Sequence, residues 1–142
     1  MPESNLTEDQ RTVFAEIADL LIPEYKQMPA ASAVGVHADL IDHVLQHRPD
    51  LADGVQRAVE RLAGGVDSAA MQDLFDNDRG AFDAVSLAVS AGYYMSDTVW
   101  PKLGYPGQEN APFEIDPNPE YVREGLLDRV LERGPIYRPT PK

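Results

Sequence analysis

The chain has 142 residues, 43% hydrophobic and 25% charged, a balance that fits one domain able to bury a core without metal or disulfide staples. It contains no cysteine, which excludes structural disulfides, thiolate metal sites and a cysteine nucleophile. Its 24 acidic residues outweigh 12 basic ones, for a formal charge of −12, so nucleic acid and anionic membrane surfaces are both poor partners.

The first residues, Met1-Pro2-Glu3-Ser4-Asn5, hold no basic or apolar leader and no twin arginine. No apolar run approaches the roughly 20 residues that span a bilayer. A cytoplasmic protein without direct membrane insertion is the expectation. Thr7 and Gln10 have the spacing of a capping box, and Val13, Phe14, Ile17, Leu20 and Leu21 then form one apolar stripe that Pro23 stops. From Pro23 to Ala33 the sequence reads as a loop. A second stripe of Val36, Leu40, Ile41, Val44 and Leu45 predicts a helix ending before Pro49. Asp50 is placed to cap a third helix carrying Leu51, Val55, Val59 and Leu62, which Gly64 and Gly65 end.

Asp67 or Ser68 can cap a fourth helix with Met71, Leu74 and Phe75, followed by a break around Asn77 to Gly80. A fifth helix is predicted from about Ala81 to Met95; its many small residues and few charges mark it as central and buried. Val99 to Pro119 is too rich in proline and glycine for a regular element and too apolar for a disordered tail. A last helix is predicted from Pro119, capped by Asn118, with Val122, Leu126, Val130 and Leu131 as its stripe and Gly134-Pro135 as its end. Residues from Ile136 onward read as an extended arm. No period-2 alternation appears, so the predicted class is all-α, a bundle of about five to six helices with a long Pro/Gly-rich C-terminal segment.

Chemistry is sparse. Asp39, His43 and His47 stand four apart on one face of the second predicted helix, where two imidazoles one turn apart can chelate a divalent metal. The zincin pattern, however, needs a glutamate directly after the first histidine, and Val44 stands there. The alternative is an exposed face on which Asp39 supports a partly charged His43. His37, near the helix start, reads as a packing or capping residue. Five aspartates, Asp67, Asp73, Asp76, Asp78 and Asp83, surround a single Arg79 and read as a solvated acidic face. No G-x-S-x-G elbow or phosphate-binding glycine loop is present.

What remains is Tyr93-Tyr94 followed by Trp100-Pro101-Lys102-Leu103-Gly104-Tyr105-Pro106-Gly107, with the only tryptophan and three of the six tyrosines. Aromatics in a stiff Pro/Gly loop lose little entropy on docking, which suits either a core plug or an interface anchor. At these residues the sequence resembles a known family, the gluconate 2-dehydrogenase subunit 3 family. Its members are small subunits of FAD-dependent dehydrogenases of the glucose-methanol-choline type. The likeness is carried by Leu6-Thr7 with Gln10-Arg11, by Ala18-Asp19-Leu20-Leu21-Ile22-Pro23, and by Trp100 with Lys102-Leu103-Gly104-Tyr105-Pro106-Gly107. Met95-Ser96-Asp97-Thr98 stands where many members carry a glycine/asparagine-rich segment.

The resemblance implies a non-catalytic subunit that binds and stabilises a flavoprotein oxidoreductase acting on an alcohol or sugar hydroxyl. FAD and the catalytic residues are then expected in the partner, and no cofactor in this chain. The expected partner interface comprises Tyr93, Tyr94, Trp100, Lys102, Leu103, Tyr105, Pro106, Ile136, Tyr137 and Arg138. Two other readings stay open: a stand-alone helical metal-binding protein or enzyme built on Asp39, His43 and His47, and a helical adaptor for a partner without flavin.

Overall fold

Helix α1, Glu8–Leu21, begins where Thr7 and Gln10 satisfy each other's backbone. The Gln10 amide donates to Thr7 Oγ1 at 3.3 Å and the Thr7 amide donates to Gln10 Oε1 at 2.9 Å, the reciprocal pair expected from the spacing. A computed structural model describes residues 6–109 and 119–136, and the chain divides into two units, one ending at Gly107 and one beginning at Gln108. Apart from a bridge between Tyr25 and Met28, every regular element among the described residues is helical. The fold class is all-α.

In the first unit α1 is followed by a loop and a short 3₁₀ turn, Ser32–Val34. The single helix predicted from Val36 is not formed as such. Val36–Leu40 is a π-type turn, with Ala38 out of helical geometry at φ −95° and ψ −122°, and a regular helix, α2, runs only over Ile41–His47. A side chain 26 residues earlier in the chain clamps the kink. Arg11 of α1 donates through Nη1 to the carbonyls of His37 and Ala38 at 2.8 and 2.9 Å and grips both Asp42 carboxylate oxygens through Nη2 at 2.8 Å. These bonds hold the kinked backbone against α1, and the apolar stripe survives across the kink.

A 3₁₀ turn, Pro49–Leu51, leads into α3, Ala52–Leu62. Asp50 does not cap it, contrary to the expectation from sequence. Its carboxylate is taken by Arg48 at 2.7 and 2.8 Å, and the 3₁₀ turn itself supplies the helix start. Asp67 does cap α4, Ser68–Asn77, accepting from the Ala70 amide at 2.8 Å. The break before α5, Arg79–Met95, narrows to one residue, Asp78, which accepts from the Ala81 amide at 3.1 Å and so starts the helix two residues earlier than predicted.

Helix α5 is the centre of the unit. Ala81, Ala84, Val85, Ala88, Val89, Gly92 and Tyr93 are all buried along it, and it packs on α2, α3 and α4. The small residues matter because of how close the helices come. A Cβ built on Gly54 of α3 would sit 2.5 Å from Ala84 Cβ, and one on Gly92 would meet Val36 Cγ1 at 3.1 Å. Fully buried Phe14, Ile17, Ile41, Val55 and Leu74 fill the space around α5, each contributing about 1.5–3 kcal/mol by leaving water.

In the second unit the predicted last helix is broken in two: α6, Glu120–Arg123, and α7, Asp128–Arg133. Gly125, at φ +72°, turns the chain between them, and the Asp128 carboxylate lies 2.7 Å from where a Cβ on Gly125 would stand. The expected cap Asn118 lies outside the described residues. Leu126, Val130 and Leu131 are exposed, so their helical spacing does not correspond to a buried face here.

Candidate functional site

The buried stripe of α5 advances by three and four residues through Ala88, Val89, Gly92 and Tyr93 to Ser96, which is also buried. Residues 94 and 95 fall off this stripe and turn outward. Tyr93 is therefore a core residue, 2% exposed, with its hydroxyl donating to the Pro29 carbonyl at 2.8 Å. Burial pushes its phenol pKa up, with a further push from neighbouring Tyr94. This corrects its assignment to the expected interface: a side chain sealed in this way has no surface to offer. Tyr94 stands edge-on to Tyr93, ring centres 5.5 Å apart, and is 58% exposed; Met95 is 42% exposed.

Beyond Ser96 the chain is pinned before it reaches the aromatic segment. The Val99 amide donates to the Ser96 carbonyl at 3.1 Å, and the Val99 side chain is fully buried. A 3₁₀ turn, Trp100–Leu103, follows and ends in Gly104, whose φ of +68° suits glycine. Trp100 is half-buried. Its Nε1 donates to the Tyr94 carbonyl at 2.7 Å, the Tyr105 amide returns to the Trp100 carbonyl at 2.9 Å, and the two rings meet edge to face at 5.6 Å. From Pro101 to Pro106 every residue is exposed, with Leu103 at 50% and Tyr105 at 47%.

The two readings of this segment thus separate by residue. Val99 plugs the core, and Trp100 stitches the turn to the end of α5. Lys102, Leu103, Tyr105 and Pro106 are left on the surface, beside Tyr94 and Met95. Sequence reasoning missed Met95, although the α5 periodicity placed it outward. Of the remaining expected interface residues, Ile136 is exposed and lies in the second unit, while Tyr137 and Arg138 are outside the described residues.

The same surface has a polar neighbour. Val34, Gly35, Ala38, Asp39 and Leu40, from the kinked turn, line an open cleft of about 370 Å³ with Met95, Ser96, Asp97 and Thr98. Met95 is common to the cleft and the apolar patch. A second polar cleft, sharing Ala38 and Asp39 with the first, is lined also by Glu8, Arg11, Thr12, His37 and Asp42. An apolar depression of about 250 Å³ is formed by Leu20, Leu21, Met71, Phe75, Phe82 and their polar neighbours Ser68 and Gln72.

His43 and His47 are exposed, and His47 Nδ1 donates to the His43 carbonyl at 2.9 Å. Among the described residues no group of three or more His, Asp or Glu side chains is placed to hold a metal ion. His37 is half-buried, with Nδ1 enclosed and lacking a hydrogen-bond partner, while its carbonyl serves Arg11. The acidic pair Asp76 and Asp78 is engaged in structure. Asp76 accepts from Gln72, and Asp78 is held below the usual carboxylate range by the Arg57 guanidinium and the Ala81 amide. Asp73 is likewise held low by Arg61 and Asn77. For Asp73 and Asp78 this is the opposite of the raised pKa a general acid requires.

Among the described residues no helix is long and apolar enough to cross a membrane. Comparison with protein-family models, with curated proteins and with solved structures returns no match for the chain.

Proposed function

We propose that this chain is a non-catalytic accessory subunit that binds and stabilises an FAD-dependent oxidoreductase of the glucose-methanol-choline type, acting on an alcohol or sugar hydroxyl. The observation that carries the reading is the division of labour around Trp100. The turn is fixed by Val99 and by the Trp100–Tyr94 hydrogen bond, yet Tyr94, Met95, Leu103 and Tyr105 are left uncovered. A stiff, outward aromatic patch is costly in water and favourable against a partner, because few rotamers remain to be lost on docking. Two of the patch residues, Leu103 and Tyr105, lie in the stretch from Trp100 to Gly107 that carries the family resemblance.

Flavin, substrate pocket and catalytic groups belong to the partner in this reading. Coexpression with a flavoprotein large subunit of the same organism should give a yellow complex that co-purifies at fixed stoichiometry. A large subunit that folds, holds flavin and turns over fully without this chain would remove the stabilising role. The cytoplasmic setting is part of the same proposal and is tested separately by cell fractionation.

A further inference from the structure

We infer that the outer face of α5, from Leu87 to Tyr94, packs two-fold symmetrically against the same face of a second copy of this chain. The burial pattern of α5 leaves Leu87, Ser90, Ala91 and Tyr94 on the side turned away from the core. Leu87 is 44% exposed and Tyr94 58%, while Ser90 and Ala91 between them are half-buried. From Asp83 to the end of α5 at Met95, about 18 Å of helix, no further charged residue occurs. The neighbouring helices are finished differently: α3 shows Asp53, Arg57 and Glu60 to solvent, and α4 shows Asp73 and Asp76. A helix that is apolar on its outer as well as its inner side is one that packs on both.

The occupant is a second copy because the face is self-complementary. Its two large side chains stand at equal distances from its centre, Leu87 before and Tyr94 after the small pair Ser90 and Ala91. An isologous contact pairs each residue with its counterpart in reverse order. With the axis at Ser90 and Ala91 and the helices antiparallel, Leu87 of each copy meets Tyr94 of the other. Small residues then meet small ones, which lets the helix axes approach to about 8 Å. Charge fits the same arrangement. Exposed Arg79 and Asp83 flank the face at one end, and exposed Asp97 and Lys102 at the other. Antiparallel copies therefore set a base and an acid over an acid and a base, and the acidic excess of the chain lies outside the contact. Two large side chains per copy suit a weak, reversible dimer rather than a permanent one. Tyr94 also belongs to the patch assigned to the flavoprotein, so the two occupants compete for it. The inference otherwise goes beyond the accessory-subunit reading and is tested on the isolated chain.

Sedimentation equilibrium of the full chain from about 1 to 300 µM should give the mass of one chain at the low end and approach twice that mass at the high end. Leu87→Glu should stay monomeric throughout, with the circular dichroism spectrum of the parent. Ser90→Cys replaces a side chain of nearly the same size and is the only cysteine of its variant. Because a disulfide needs its Cα atoms within about 7 Å, Ser90→Cys should cross-link under mild oxidation at least about tenfold faster than Thr12→Cys on exposed α1 surface. A chain that is monomeric to the top of the range, a dimer that Leu87→Glu leaves intact, or cross-linking no faster than at Thr12→Cys overturns the inference. If the chain is monomeric and Leu87→Glu loses the coexpressed flavoprotein subunit, the α5 face belongs to that partner and the accessory reading stands. A dimer with these properties in a chain that binds no flavoprotein upholds this inference and removes the accessory reading.

Discussion

Helix α5 and the segment that follows it are built from similar apolar and aromatic residues and use them in opposite ways. Along α5, side chains at three- and four-residue spacing disappear into the unit, so that Tyr93 ends as one of its largest fully buried side chains. One residue later Tyr94 is mostly exposed, and from Pro101 to Pro106 the chain offers its side chains to solvent. The backbone there is nevertheless anchored by Val99 and by the hydrogen bonds of Trp100. Apolar character alone therefore does not distinguish a core element from a docking element. The helical phase does, together with where the hydrogen bonds end.

That contrast is sharpest at the two adjacent tyrosines. Tyr93→Ala should cost about 3–5 kcal/mol of unfolding free energy, as buried aromatic truncations do, and Tyr94→Ala no more than about 1.5 kcal/mol, its edge-on contact with Tyr93. Urea titration of both variants reads the difference, and equal losses would mean that Tyr94 is also structural. Gly54→Ala should destabilise by about 1–3 kcal/mol despite the better helix propensity of alanine, because the added methyl has no room beside Ala84. A neutral or stabilising result would mean that α3 and α5 can separate without loss. Tyr93→Phe should cost about 1 kcal/mol, the hydrogen bond to the Pro29 carbonyl.

The smallest effect concerns acid stability. Asp73 and Asp78 have folded pKa values below their unfolded ones through Arg61 and Arg57. Their contribution is present above the unfolded carboxylate pKa of about 3.9 and is lost as pH falls through the lower folded values. Asp78→Asn should flatten the fall of the thermal midpoint below about pH 4 and change it little more with pH above that. An unchanged acid slope would assign the loss to other carboxylates.

Much of the first unit was legible in the sequence, because its signals are local. Thr7 with Gln10, Asp67 before its helix and the small-residue face of α5 each act within a few residues. The kink at Ala38 was not, since the clamp that holds it comes from Arg11, and nothing in the stripe from Val36 to Leu45 distinguishes a continuous helix from a broken one. Asp50 was misassigned because Arg48, two residues away, competes for its carboxylate. The split of the last predicted helix is written in Gly125, whose signal the regular apolar spacing around it masks. At the site, the Trp100 segment itself was visible, but which of its residues face outward depended on the phase of α5 and on the Trp100–Tyr94 bond.

The most direct test of the account is complex formation by Leu103→Ser/Tyr105→Ser, measured beside the stability of the isolated chain. The account predicts an unfolding free energy within about 1.5 kcal/mol of the parent, the Trp100–Tyr105 ring contact being the part lost, and a flavoprotein complex that no longer co-purifies. A complex recovered at parental yield, with the isolated chain equally stable, would contradict the claim that this face is where the partner binds.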